Sequence, residues 1–311
     1  MLIEYHRKML ADEVRSAAFE AALRRVITAG ETTVADIGAG TGVLGFMAQR
    51  LGAREVHVIE HGPVIDLAAR IAEANGIPGL QFWQLHSSEI LDPPQVDVVV
   101  AEILGNLALE ENALETLADA RRFLKAGGTL IPARIEQFVA PVAADRFWRD
   151  LRSWDRAPLG LDFGAARSMS FDNLYVHRLD PGDLLPLENP ARSWDVLDFR
   201  SEIDSHRQGA AAWELKQAGS VFGFALWWCC ELVPGVVLST SPFSAPTHWD
   251  QVYAPVEQPV EALAGDTVEI ALESETGGGE AGIGMRWEVR HRRGDRELSR
   301  QLQDIGRGYL G

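Results

Sequence analysis

Thr33-Val-Ala-Asp36-Ile-Gly38-Ala-Gly40-Thr41-Gly42-Val-Leu-Gly45 decides the fold of this chain. An apolar, partly β-branched run opens it, a glycine-rich turn follows, and a helical pattern continues to Arg50. That order is the first β-loop-α unit of a nucleotide-binding sheet, where glycines let the backbone approach a ligand. A dinucleotide fingerprint, G-x-G-x-x-G, would need glycine where Val43 stands. The spacing is instead D-x-G-x-G-x-G. An acid just ahead of the loop repels a pyrophosphate and welcomes an amino group, so Asp36 points to a cationic small ligand.

Working outward, strand and helix patterns alternate. The second strand, Glu55–Glu60, ends in a carboxylate suited to a ribose diol. The third, Leu80–Leu85, leads to His86-Ser-Ser-Glu89, where Glu89 is positioned to reach an adenine edge. The fourth opens Val98-Val-Val-Ala-Glu102-Ile-Leu-Gly-Asn-Leu-Ala-Leu-Glu-Glu111. A buried strand ends at Glu102, Gly105 turns the chain, and Glu110 and Glu111 follow. Carboxylates brought together at the end of a strand are costly unless a cation sits between them. Taken alone, Glu110 and Glu111 also fit first-turn acids complementing a helix dipole, with Glu102 an ordinary strand-end residue.

Residues 1–30 read as helix, with Met9, Asp12 and Arg15 spaced by three on one face. That face also fits a solvated stripe. Residues 31–135 read as a parallel sheet covered by helices. Beyond Arg134 the alternation stops. Residues 146–175 are rich in Trp, Arg and Gly. Short strands then recur around Pro and Gly: VLDFRSEI, GSVFGFALWWCCEL, VVLSTSP, DTVEIALES and GIGMRWEVRHR. They predict an all-β sandwich or barrel, with Gly277-Gly-Gly as a flexible turn. In its loop Ser239–Gln251, Thr247-His248-Trp249 stands out. A histidine beside an acidic pocket accepts protons near pH 7. The same pair also fits a packed aromatic and a surface histidine.

The chain has 311 residues, enough for two domains with their own cores. Its formal net charge of -16 argues against a nucleic-acid surface, which needs clustered Lys and Arg, and favours cationic partners. Cys229 and Cys230 are adjacent, a strained geometry for a disulfide, and read as buried thiols of a reducing compartment. The start, MLIEYHRKML, lacks the long apolar core of a signal peptide, and no apolar run reaches the roughly 18 residues of a membrane span. A cytoplasmic protein with no membrane contact is expected.

Together these motifs resemble the protein arginine methyltransferases, over residues 6 to about 260. The match runs through H-x-x-M-L-x-D-E-V-R (His6 to Arg15), Asp36-Ile-Gly-Ala-Gly-Thr-Gly, Glu60, the family's double-glutamate hairpin (Ala101-Glu102-Ile-Leu-Gly105 through Glu111) and Thr247-His248-Trp249. The resemblance implies a Rossmann-like class I methyltransferase α/β sheet, followed by a β-barrel domain with a helical dimerisation arm. The segments would be 1–30 covering the cofactor, 31–135 binding it, and 136–311 as barrel, with the arm at about 146–175. It implies S-adenosylmethionine as methyl donor, held by His6, Arg15, Asp36, Gly38, Gly40, Thr41, Glu60 and Glu89. Arg15 would pair with the methionine carboxylate, Glu60 hold the ribose and Glu89 the adenine. Glu102 and Glu111 would grip a guanidinium, His248 and Asp12 would take its proton, and Met9 and Trp249 would wall the slot. A homodimer acting on an arginine-containing protein or peptide follows.

The sequence departs from that family in three places. No Tyr-Phe-x-x-Tyr helix precedes His6, so the family's lid is missing, replaced or supplied in trans. The hairpin's Trp-Met is Ile103-Leu104, and the aromatic after Gly105 is Asn106. These departures leave room for a methyltransferase of a small cationic molecule or of one dedicated natural-product peptide. A catalytically silent peptide-binding scaffold is the reading from another class, opposed by the intact Asp36, Glu60, Glu102, Glu111 and His248.

Overall fold

The sequence predicts one helix over residues 1–30, but the chain forms two. α1 spans Ile3–Leu10 and α2 spans Glu13–Val26. They part at Asp12, whose Oδ1 accepts the Arg15 backbone N–H at 2.9 Å and caps α2. A side chain that bonds the backbone in an extended conformation competes with helix continuation, and the three-residue spacing hides this. The structure is a computed structural model. It describes residues 3–110, 112–276 and 282–308. Glu111 and the Gly277-Gly-Gly turn lie outside the described residues.

Strand and helix then alternate as β1 (Thr33–Ile37), α3 (Val43–Arg50), β2 (Glu55–Ile59), α4 (Val64–Ala74), β3 (Leu80–Trp83), β4 (Val96–Ala101), α5 (Ala113–Ala120) and β5 (Leu124–Ile131). All pairings are parallel, in the order β3-β2-β1-β4-β5. Val34, Val56, Val58, Val99 and Val100 are fully buried, as expected for strands covered on both faces. Each such side chain contributes roughly 1.5–3 kcal/mol of apolar burial. The strand order reverses between β1 and β4, the switch point where open α/β sheets hold ligands. There Ile37 pairs with Ala101, so the glycine loop and the Glu102 loop leave the sheet side by side.

After β5 every pairing is antiparallel. The elements are β6 (Arg134–Val142), α6 (Arg146–Leu151), α7 (Gly164–Phe171), β7 (Tyr175–His177), β8 (Arg192–Asp198), β9 (His206–Glu214), β10 (Gly219–Val233), β11 (Val236–Ser239), β12 (Gln251–Ala262), β13 (Asp266–Glu275), β14 (Gly284–Arg293) and β15 (Arg296–Asp304). One sheet runs β7-β12-β10-β6-β8, with β11 on β10, and the other β15-β14-β13-β9. Trp213, Phe224, Ile270 and Trp287 share the core of this half. Residues 146–175 are largely helical and expose Trp154, Leu161 and Phe163.

The two halves are joined by packing. Trp228 and Trp249 from the antiparallel half lie in the same buried cluster as Val98–Val100 and Leu104. Cys229 and Cys230 are both free, and burial pushes both thiols up. Among the described residues no helix is long and apolar enough to cross a membrane.

Candidate active site

At the end of β1 the chain turns through Gly38, Gly40 and Gly42 with φ of +68°, +54° and +82°, a left-handed run that side chains resist. The loop is tied to β2. Gly38 and Ala39 N–H donate to the Ile59 carbonyl, and Gly40 N–H donates to Glu60 Oε2 at 3.0 Å. Glu60 Oε1 accepts the Gly62 N–H at 2.7 Å. His6, from α1, lies over Gly40, where a Cβ would come within 2.8 Å of its ring. Burial pushes the His6 imidazole down, opposed by Glu60.

Asp36 corrects the sequence reading. It lies beneath the loop, 1% exposed, and is not among the residues lining the cavity. Its Oδ2 accepts the Gly45 N–H at 2.7 Å, bracing the first turn of α3. Burial pushes its carboxyl up to about 7, with that N–H bond opposing. Glu89 also differs. Its carboxylate accepts the His86 N–H at 2.9 Å and closes the turn Ser87–Glu89, and it too is absent from the lining. In both cases the side chain satisfies a nearby backbone donor instead of facing the ligand space.

A cavity of about 950 Å³ crosses the carboxyl edge of the sheet. It runs from Glu102 and His248, past Gly38, Thr41 and Glu60, to His86 and Ser87, with Met9 in its α1 wall. At the first end α2 delivers Arg15. Its Nε donates to Glu102 Oε2 at 2.7 Å and its Nη2 donates to the same oxygen. Both side chains are 5% exposed, and Arg15 Nη1 is buried without a partner among the described residues.

The loop after Glu102 is pinned from the other half of the chain. Trp249 Nε1 donates to the Leu104 carbonyl at 2.7 Å and Trp228 Nε1 to the Gly105 carbonyl at 3.0 Å. Asp250 N–H donates to Asn106 Oδ1 at 2.9 Å. The two indoles meet edge-to-face with centroids 5.0 Å apart. Glu110 lines the cavity, and its Oε2 accepts the Leu107 N–H at 3.2 Å. Burial pushes the Glu110 carboxyl up, opposed by the Leu107 and Asn106 amides.

Asp12 and His248, 236 residues apart in sequence, meet directly. Asp12 Oδ2 accepts the His248 backbone N–H at 2.7 Å and lies 2.8 Å from its Nδ1. Burial pushes the Asp12 carboxyl up, but the Arg15 N–H and the two His248 bonds outweigh it and hold it below the usual range. The His248 ring sits 3.8 Å from Trp249, centroid to centroid.

A model of the arginine methyltransferase oligomerization subdomain matches residues 133–290. Protein arginine N-methyltransferase 6 of Xenopus laevis is 30% identical over 292 residues, covering 87% of this chain and 84% of that protein. The chain belongs to the protein arginine N-methyltransferase family. A model of ribosomal protein L11 methyltransferase matches residues 20–137, the parallel-sheet half of this arginine methyltransferase. Among solved structures, the Trypanosoma brucei PRMT1 enzyme–prozyme heterotetrameric complex with AdoHcy superposes with a TM-score of 0.86 at 22% identity, covering 97% of both chains. Arabidopsis thaliana protein arginine methyltransferase 10 superposes with a TM-score of 0.81 at 20% identity, covering 98% of both. These two show a shared fold.

Several site residues of this arginine methyltransferase carry no clear signal in sequence. Trp228 lies in an apolar run that reads only as a buried strand. A buried indole N–H needs an acceptor, but spacing does not say whose. His86 and Ser87 take the wall position expected of Glu89. Arg122 holds their turn, donating to the Ser87 carbonyl at 3.0 Å and the Ile90 carbonyl at 3.1 Å.

Proposed function

We propose that this protein transfers a methyl group from S-adenosylmethionine to the guanidinium of arginine in a protein or peptide. The observation that carries the reading is the Glu102 loop, clamped by Trp228 and Trp249, opening into a cavity also lined by the glycine loop and by His248, which Asp12 braces from behind. The cavity residues suit the methyl donor. Of the eight buried side-chain polar atoms without a partner among the described residues, two belong to the lining: Arg15 Nη1 and Ser87 Oγ. They fall toward opposite ends, a cation for a carboxylate and a hydroxyl for a base edge. Glu60, with one amide on each oxygen, keeps lone pairs for ribose hydroxyls.

When bound, S-adenosylmethionine supplies an electrophilic methyl, whose bond to sulfur breaks as the bond to nitrogen forms, the sulfur keeping the electron pair. The chain's own residues do the rest. Glu102, with Glu111, holds the guanidinium by charge-assisted forks and fixes one terminal nitrogen. Arg15 already engages Glu102 Oε2, leaving Oε1 with only the Leu104 N–H at 3.3 Å among the described residues, so Oε1 is the oxygen offered to a guest. Arginine stays protonated at neutral pH, so its nitrogen must shed a proton. With the Nδ1 proton donated to Asp12, His248 Nε2 is the free acceptor. The helical segment 146–175 serves as the arm of a homodimer, exposing Trp154, Leu161 and Phe163 for it, and the protein works in the cytoplasm.

Incubation with labelled S-adenosylmethionine and an arginine peptide tests the reading. Mass spectrometry should find methyl groups on arginine and none on a lysine-substituted peptide. Label confined to small solutes from a cell extract would instead establish the small-cation reading.

Asp12 has two jobs, capping α2 and holding His248, and serine separates them. Asp12→Ser retains a capping oxygen and gives up the two His248 contacts, so stability should fall by about 1–3 kcal/mol with the chain still folded. The His248 partner is lost, and kcat should fall about 10- to 100-fold at unchanged S-adenosylhomocysteine affinity. Melting curves beside steady-state kinetics check this. Unchanged kcat would remove the pair from the mechanism.

A further inference from the structure

We propose that Glu110 is a positioning residue for methyl transfer: its carboxyl clasps the Gly105–Leu107 turn and so fixes how Glu102 faces the cavity. The inference rests on the reading above. It gives a separate role to the acid beside Glu111, the residue that the family resemblance assigns to the guanidinium.

The turn carries polar groups on both sides. Its outward groups, the Leu104 and Gly105 carbonyls and Asn106 Oδ1, are taken by Trp249, Trp228 and Asp250 of the antiparallel half. Its inward Leu107 amide donates to Glu110 Oε2 at 3.2 Å. The Glu110 backbone N–H closes the same turn onto the Leu107 carbonyl at 3.0 Å. Without Glu110 the outer clamp would pull on a turn with no inner support, and the buried Leu107 amide would lose its acceptor.

Gly105 makes the clasp possible. A Cβ at that position would overlap the Glu110 carboxylate, so the acid packs directly on the backbone of the residue it supports. This arrangement also sets Glu110 apart from a guanidinium ligand. A ligand carboxylate must offer its lone pairs to the guest, whereas Glu110 Oε2 is already occupied by the turn.

Three variants test the proposal: Glu110→Ala, Glu110→Gln and Gly105→Ala. Glutamine keeps the amide-accepting oxygen and loses only the charge. Glu110→Ala and Gly105→Ala should each lower kcat/KM on an arginine peptide by about tenfold or more, because small misplacements of a gripping group are costly. The two losses should not add in the double variant. Glu110→Gln should recover to within about threefold of the parent, since a clasp needs the oxygen and not the charge. Calorimetry with S-adenosylhomocysteine should still show binding by all three, because the clasp touches neither the glycine loop nor Glu60.

Hydrogen exchange reads the clasp without any reaction. The Leu107 amide should exchange faster in Glu110→Ala and Gly105→Ala than in the parent or Glu110→Gln. A parent that binds S-adenosylhomocysteine but methylates no arginine sinks the functional reading, while exchange still decides the clasp. Three results overturn the clasp itself. One is a Glu110→Gln variant as impaired as Glu110→Ala, which would make Glu110 a charge ligand. The second is unchanged exchange in Glu110→Ala. The third is loss of S-adenosylhomocysteine binding in both alanine variants, which would mean general unfolding.

Discussion

Glu102→Gln is expected to lower kcat on an arginine peptide by about 10²- to 10³-fold, the loss seen when one preorganised group is removed from a charged transition state. On the proposed mechanism Glu102 acts twice. It holds the guanidinium, and through Oε2 it holds Arg15. Glutamine keeps an accepting oxygen for one of these contacts but no charge for either. Arg15, 4% exposed, is then left with its positive charge uncompensated. A buried charge without its partner favours any anion that arrives, and the carboxylate of the methyl donor is such an anion. S-adenosylhomocysteine should therefore bind Glu102→Gln at least as tightly as the parent, while transfer is lost. The melting temperature should also drop, because the ion pair is broken on one side. Calorimetry and single-turnover kinetics on one preparation separate these effects. A variant with full transfer rate would show that Glu102 does not hold the guanidinium.

How far the sequence shows this arrangement depends on what each residue's position is tied to. β1 and β4 are legible because short β-branched runs bounded by turn residues favour buried strands, and the glycine turn between β1 and α3 is legible because left-handed backbone selects glycine. The meeting of the glycine loop and the Glu102 loop follows from that, since adjacent parallel strands release their loops at the same edge. Side-chain direction at a strand end is not tied to spacing in this way. Asp36 and Glu89 stand at the right strand ends but turn to backbone amides at Gly45 and His86. The break at Asp12 is hidden for a related reason. Asp12 caps α2 through the Arg15 N–H and also bonds His248, 236 positions away, and no local period records either bond. Trp228 and Glu110 carry the same lesson, for their partners are carbonyls and amides of one turn.

Asp36 leads to the largest expected effect on stability. Its carboxyl is held protonated up to about 7 by burial. In the unfolded chain it ionises near pH 4. Between those values the unfolded chain gives up its proton while the folded one keeps it. Ionisation therefore favours unfolding, and the stability present below about pH 4 is lost as pH rises through about 7. The full loss from this one group is about 4 kcal/mol. The opposite slope comes from His6 and His57, which burial pushes down, so that acid favours their release from the fold. The two trends overlap, and the parent's profile alone cannot separate them. Asp36→Asn does so. Asparagine keeps an oxygen for the Gly45 N–H and has no proton to lose. The difference between parent and variant, from urea unfolding at steps between pH 4.5 and about 8, should change by several kcal/mol in favour of asparagine as pH rises. A difference that stays flat over that range would mean the Asp36 carboxyl is already ionised in the fold, its charge carried by Arg15 and the loop amides around it.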